Sequence, residues 1–404
     1  MPVLNSLTQS TKNGLKLITS NLPLSIYSII SITYIYLLGT NYSVIAEVIG
    51  ISDNLYFIIP LALFTVIFLF VGAAYKKNYH RQLNLICNVV GIAFPLLLLL
   101  EVKGIPGLLG YTFLGGISAA MCLPNVISAF LSKTDYNNRG SACGIFTVIV
   151  FVVIIALSFI IDSFIALVIA LVILKVLGLL ASNKIKSIDF STEELVYIKT
   201  NTRTKIAFLV VWIIFNIVDV VVETIVSSGL SNSQIQNTLI ESYLIGLVAM
   251  VVAGAIMDSY GRKRVMIIAY AYLGLDYAMI SIAGSSLYQL TVLDGIAWGI
   301  LTILLLLILW GDICKPTSRG TWIAASLSIA FSSVILLPIM PSLLKGLPFG
   351  LRFEQIFPLT SIFLFVAVVI ILSLPETIPD RFLQKKELED YIQQVKKVSE
   401  KYKK

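Results

Sequence analysis

The sequence predicts an all-α membrane protein of twelve transmembrane helices arranged as two six-helix bundles. Composition, run length and the placement of basic residues carry that prediction. Of 404 residues, 58% are hydrophobic and 13% charged, and mean hydropathy is +0.94. The charged share is about half that of soluble domains, which excludes a soluble enzyme, a disordered chain and a disulfide-built secreted scaffold. A bilayer core needs about 20 apolar residues per helix, and runs such as IFTVIVFVVIIALSFII supply them. Only helices and closed barrels satisfy the backbone in lipid. Runs this long and uniform do not alternate as barrel strands do.

Twelve apolar runs stand between polar or Gly/Pro punctuation, near 21–39, 54–75, 82–101, 106–131, 141–161 and 163–182, then 205–228, 239–258, 264–284, 287–312, 319–341 and 355–374. The longest polar stretch between runs, NKIKSIDFSTEELVYIKTNTRT, divides them into six and six. The expected organisation is a first bundle over 1–182, a linker over 183–204, a second bundle over 205–374 and a tail over 375–404. Loops rich in Lys and Arg stay in the cytoplasm. All but Lys103, Lys345 and Arg352 of the 29 basic residues fall on one side of this layout. An even number of crossings with both termini cytoplasmic explains that partition. The first twenty residues are polar and lack a signal peptide's apolar stretch, so the first span directs insertion. Asn41-Tyr42-Ser43 is an acceptor pattern for glycosylation in an outside loop, its use depending on the host.

The four cysteines have no metal-like spacing and read as small buried residues. His80 is the single histidine and cannot build a metal site or a triad alone. No Gly-Lys dipeptide occurs, so no P-loop is present. These features point away from an enzyme, a metal site or a bound cofactor, and nothing points to nucleic acid. A membrane-embedded transferase or hydrolase would need an acid–base constellation that the short outside loops do not provide.

Two signals recur across the central linker. Arg139-Gly140 is echoed by Arg319-Gly320, and Gly72 by Gly254, at nearly equal offsets. Internal repeats mark many secondary transporters, with substrate bound at midplane between the halves. After span eight the chain reads Gly254-Ala-Ile-Met-Asp258-Ser-Tyr-Gly261-Arg262-Lys263-Arg264. Gly254 permits close helix approach and Gly261 a tight turn, while Asp258 can pair with a cytoplasmic arginine. The same pattern also serves as a topological anchor, because basic turn residues belong on that side anyway.

This loop resembles the signature of the major facilitator superfamily, in which Gly, four residues later Asp, then Gly-Arg-Arg/Lys join helices 8 and 9. The first-half copy is degenerate, with Lys76 where Asp would stand and Tyr79 where the second Gly would stand. Asp312, seven residues before Arg319, and Pro375-Glu376-Thr377 resemble elements of the sugar-porter branch. Pro316 is shifted by one, Ser132 replaces the acidic residue in the first half, and span seven lacks the branch's glutamine-rich element. The resemblance implies a two-bundle fold with an inner gate of Gly254, Asp258, Gly261, Arg262, Asp312 and Arg319, joined by Arg139 as the repeat of Arg319. It also implies that helices 1, 4, 7 and 10 line the cavity. Span five lacks the Gly-Pro-Gly-Gly pattern of drug–proton antiporters, which lowers that reading.

An ionised side chain at mid-bilayer costs about 3 kcal/mol on insertion scales, so each needs a reason. Asn216, Asp219 and Glu223 lie in span seven. Asp219 and Glu223 are four apart, on one helix face. Two carboxylates this close in low dielectric do not both ionise, and a shared proton is what a proton-coupled carrier needs. A polar patch facing trapped water is the plain alternative. Asp294, with Trp298 one turn below, reads as an acceptor beside an aromatic platform or as an interface residue. Tyr34 and Tyr36 in span one are candidate ligand bridges or interfacial tyrosines. Asp276 in span nine is expected to be structurally paired. Lys175 is expected to snorkel from the edge of span six. The charged tail with Phe382, Leu383, Leu388, Ile392, Val395 and Val398 fits an amphipathic helix on anionic lipid, or a solvated segment.

These features converge on a monomeric secondary transporter of the cell membrane. It moves a small polar solute by alternating access, coupled to protons, with a sugar or similar metabolite favoured. The alternatives are an organic-cation or drug exporter, drawn by Asp219, Glu223 and Asp294, and a non-transporting subunit on the same scaffold.

Overall fold

The computed structural model describes all residues except 1, 52–53, 75–80, 186–197, 199, 230–231, 284–293, 346–352, 379–391, 393–394 and 396–404. Lys76, Lys77, Tyr79, His80, Arg352 and nearly all of the tail from residue 379 therefore lie outside the described residues. Among the described residues the chain is helical, with no strand. The first six spans are Leu22–Thr40, Leu55–Ala73, Arg81–Leu98, Gly104–Ser132, Arg139–Ile160 and Phe164–Asn183. Spans seven to ten are Thr202–Ile225, Glu241–Tyr260, Arg262–Ile282 and Asp294–Ile313, and span twelve is Ile356–Ser373. Span eleven is a pair, Pro316–Ser333 and Leu336–Leu344, bent by 51°. A further helix, Pro2–Ser20, precedes span one.

Where spans break, the local chemistry gives the cause. Span four is interrupted between Ala120 and Leu123, just before Pro124. A proline lacks the N–H of the helical ladder, and its ring clashes with the carbonyl four residues back. Pro338 does the same to residue 334, where span eleven bends. Span ten carries a π-helical turn over Leu304–Ile308. The Leu305 carbonyl accepts from the Trp310 indole at 2.7 Å and from the Ser326 hydroxyl at 2.9 Å. Trp310 is fully buried and stacks on Trp322 with centroids 5.9 Å apart.

The packing repeats when six is added to each span number. Span two packs on four as eight packs on ten, and three on six as nine on twelve. Span one packs on five and six as seven packs on eleven and twelve. Two seams then join the halves: span five against eight, and span eleven against two. This is the pseudo-twofold relation of two repeated six-helix bundles.

Small residues set the first seam. A Cβ on Gly140 would stand 2.2 Å from the Gly254 carbonyl, one on Gly254 2.3 Å from the Gly140 carbonyl, and one on Gly144 2.4 Å from the Met250 carbonyl. The two backbones touch, as small residues allow in lipid. At the other end of span eight, Gly295 and Gly299 of span ten approach the Ser242 and Gly246 carbonyls in the same way. Gly254→Val is therefore expected to force the seam apart at about 1–3 kcal/mol, the usual range for overpacking. Melting in detergent should fall by several degrees. Gly110→Val, where nothing lies within 4 Å of the added Cβ, should leave the melting curve in place.

Candidate functional site

At one end of the seam the predicted gate residues meet in a buried charge cluster. Asp258, near the end of span eight, faces the N-terminus of span five. It accepts from the Gly140 amide at 2.7 Å, the Ser141 amide at 2.8 Å and the Ser141 hydroxyl at 2.6 Å. Free amides and the helix dipole make such an end an anion site. Arg262 Nη1 lies 3.0 Å from Asp258, an ion pair out of line for a hydrogen bond. Arg262 also donates to Asp312 at 3.2 Å and to the Tyr136 carbonyl at 3.0 Å, reaching the first half.

Asp312, at the end of span ten, is the second hub. Arg139 of span five pairs with it across the halves and also donates to the Thr134 hydroxyl and carbonyl. Gly311 makes room for that guanidinium, since a Cβ there would stand 2.8 Å from Arg139 Nε. Asp258, Arg262, Asp312 and Arg139 are all essentially without solvent exposure. Tyr136 closes the rim by donating to the Asp312 carbonyl at 3.3 Å. Burial and the Asp312 charge push its phenol above the ordinary range. The end of the linker crosses here too, with the Ile198 amide on the Asp312 carbonyl at 2.9 Å.

The pseudo-twofold axis explains how Arg319 differs from Arg139. Arg319 is fully buried and reaches the first half, donating to Ser132 Oγ at 3.1 Å and to the Ser128 carbonyl at 3.3 Å. Ser132 occupies the place of Asp312 in the repeat, as Arg139 occupies that of Arg319. The acidic partner is kept in one half and replaced by serine in the other.

Glu376, just past span twelve, caps the start of span nine. Its carboxylate accepts from the amides of Arg262 at 2.9 Å, Lys263 at 3.2 Å and Thr377 at 2.8 Å. Lys263 Nζ returns the contact at the carbonyls of Leu372 and Leu374. Gly261 sits between them at φ +99°, and a Cβ there would stand 2.6 Å from Glu376 Oε2. A side chain at this position meets both backbone strain and the capping carboxylate. Gly261→Ala should cost about 1–3 kcal/mol, read as a lowered melting temperature that Gly39→Ala, with open space around its Cβ, does not show.

Away from that cluster, carboxylates of the second half converge with aromatic residues of both halves. Tyr36 and Phe151 of spans one and five meet Trp298 and Tyr243 of spans ten and eight as a chain of edge contacts. The centroids are 6.4 Å apart for Tyr36–Phe151, 5.4 Å for Phe151–Trp298 and 6.0 Å for Tyr243–Trp298. Asp219 lies within electrostatic reach of Glu223 and Asp294, and Tyr36 and Tyr243 within reach of Glu223. Asp294 accepts from the Tyr277 hydroxyl at 2.9 Å. Glu223 and Tyr243 keep exposed faces, and Asp219, Asp294 and Trp298 are half-buried. No ion pair to any of these carboxylates is present among the described residues. Asn216, one turn below Asp219, turns its amide back to the Trp212 carbonyl at 2.8 Å.

Three expectations come out differently. Tyr34 is fully buried within the first half, hydrogen-bonded to Ser118 at 3.1 Å and to the Gly91 carbonyl at 3.3 Å. Tyr36, two residues and about 200° further around the helix, is the one that faces Glu223. Lys175 does not snorkel. It is 1% exposed, donates to the Ser118 carbonyl and lies 3.9 Å from the centre of the Tyr34 ring. Gly91 leaves the space its stem occupies. Asp276 has no cation partner among the described residues, and its Oδ2 is unbonded there. A cavity of about 30 Å³ lined by Ile35, Leu61, Thr65 and Phe331 lies between spans one, two and eleven. It has room for about one water and holds none of the carboxylates, so it is a packing gap.

No family model matches the chain, and no curated protein matches its sequence. The likeness is one of structure. The human organic anion transporter MFSD10 superposes with a TM-score of 0.66 at 12% identity, covering 89% of this chain and 99% of that one. The proton:xylose symporter XylE, bound to 6-bromo-6-deoxy-D-glucose, gives 0.63 at 12% identity over 89% and 96%. A bacterial homologue of the iron transporter ferroportin, outward-facing and soaked with iron, gives 0.63 at 12% identity over 87% and 98%. At such identity the similarity establishes the fold, that of major facilitator transporters.

Proposed function

We propose that this protein is a proton-coupled secondary transporter of a small polar solute, working by alternating access between its two halves. One observation carries the reading. Carboxylates of the second half meet aromatic residues of both halves, while a charge cluster closes the seam at one end. Asp219 and Glu223 hold the transported proton between them. Asp294, Trp298, Tyr36 and Tyr243 border the solute. Asp258, Arg262, Asp312, Arg139 and Arg319 form the inner gate, with Gly254 and Gly261 setting its backbone. The gate end is cytoplasmic, where the basic loops lie, and the protein is a monomer of the cell membrane.

The solute class follows from the chemistry lining the site. Carboxylates and tyrosine hydroxyls hydrogen-bond a neutral polyol, the class bound by the xylose symporter among the structural neighbours. An organic anion, as the human neighbour carries, would meet carboxylates and, among the described residues, no cation. An organic cation is the second reading, favoured by the chain of aromatic faces beside Asp219 and Glu223. Among the described residues no group of three His, Cys, Asp or Glu is placed to hold a metal ion.

Purified protein in liposomes containing a pH-sensitive dye tests the proposal. Panels of sugars and of quaternary ammonium compounds would be added from outside. Sugar-dependent proton entry supports the first reading, and cation movement against protons the second. Silence toward both classes would overturn both solute readings.

A further inference from the structure

The helix Pro2–Ser20 has no part in the two-bundle plan, yet it lies on the inner gate. Ser10, Gly14 and Ile18 are buried and spaced by four, hence on one helix face. That face packs on span five of the first half and on span eight of the second. Gly14 sets the approach, since a Cβ there would stand 3.0 Å from the Ala142 nitrogen. One turn earlier, Ser10 Oγ lies 2.8 Å from Ser141 Oγ and donates to Asp258 Oδ2 at 3.2 Å. Lys12, Leu15 and Lys16 point the other way and are exposed.

We propose that Ser10 is a positioning residue of the inner gate, and that the helix carrying it is a clamp across the cytoplasmic mouth. Chain continuity through Asn21 ties the helix to span one and so to the first half. Asp258 belongs to the second. When the halves part, the Ser10 bond breaks together with those from Gly140 and Ser141. The clamp thus adds one hydrogen bond to a charged acceptor to the closed state and nothing to the open one. The inference rests on the alternating-access reading above.

Alkylation of the native Cys314 by maleimide tests it on the full chain in detergent. Cys314 adjoins Asp312 and is fully buried. When reclosing outruns alkylation, the rate follows the open population. Ser10→Ala should react roughly ten to a hundred times faster than wild type, the weight of one hydrogen bond to a charged group. Ser10→Asp, which sets a charge against Asp258, should exceed that. Ser10→Thr keeps the hydroxyl and should stay within about twofold of wild type. Melting curves identify a variant that reacts because it is unfolded. If Ser10→Ala and Ser10→Asp react at the wild-type rate while Asp258→Asn reacts faster, the clamp is wrong and the gate stands. If Asp258→Asn also reacts at the wild-type rate, both fall.

Discussion

Asp312→Asn should open the end of the seam that the charge cluster closes. The carboxylate neutralises Arg139 from the first half and Arg262 from the second, all three without solvent exposure. Removing one partner of a buried pair leaves the other charge uncompensated, at about 3–5 kcal/mol. The Arg139 pair crosses the halves and is made only when they meet, so its loss falls on the closed state, whereas the Arg262 pair lies within the second half. Asparagine keeps part of the hydrogen bonding, which places the effect near the lower bound. At about 1.4 kcal/mol per tenfold, the open population should rise roughly a hundredfold. Cys314 reports it. Burial pushes its thiol up to about 12 in the closed state, so it is both covered and protonated at neutral pH. Opening restores access and the thiolate together. Cys87 and Cys122, buried inside the first half, should stay unlabelled in the same sample. An unchanged Cys314 rate would show that the pairs do not hold the mouth shut.

The second large effect is expected at the acidic pair. Asp219→Asn with Glu223→Gln keeps size and hydrogen-bonding capacity while removing both titrating groups. Proton-driven uptake into liposomes should fall to background, a loss of about a hundredfold or more if these groups carry the proton. Solute exchange without a gradient should persist, because the aromatic border and the gate are untouched. Insertion and melting should be unchanged or improved, since neutral amides replace carboxylates that have no cation partner among the described residues. Retained proton dependence in the double variant would move the coupling site elsewhere, with Asp294 the next to test.

Much of this architecture was legible because hydropathy and charge placement report directly on lipid. The twelve spans and the repeat follow from runs of apolar residues and from Arg139-Gly140 recurring as Arg319-Gly320. Asp258, Arg262, Asp312 and Arg319 were likewise visible, through spacing that a plain anchor does not need. Partner choice was not. Arg319 donates to Ser132 and to the Ser128 carbonyl, while Asp312 gathers Arg139 and Arg262. That follows from the pseudo-twofold axis, which sequence shows only as an offset. Gly140 and Gly144, spaced by four, are the residues in span five that mark the seam. The π turn at Leu304–Ile308 has no residue signature, since a run of leucines fits an α-helix equally well. Tyr34 and Tyr36 could not be told apart without knowing which face of span one meets the second half. Lys175 reads as a snorkelling residue only while the depth of span six is unknown; inside the bundle, the Tyr34 ring and a carbonyl receive it.

The central claim is that the halves rock about the acidic and aromatic site, closing one end as they open the other. Spin labels on exposed positions report both ends in a Cys314→Ser background, since opening uncovers that thiol, while Cys87, Cys122 and Cys143 are buried. One pair, at Asn137 and Arg264, spans the gate end. The other, at Asp162 and Glu241, spans the opposite end. Introducing Asp312→Asn should lengthen the Asn137–Arg264 distance and shorten the Asp162–Glu241 distance in the same molecules. A gate end that widens while the opposite end keeps its wild-type distance would contradict alternating access.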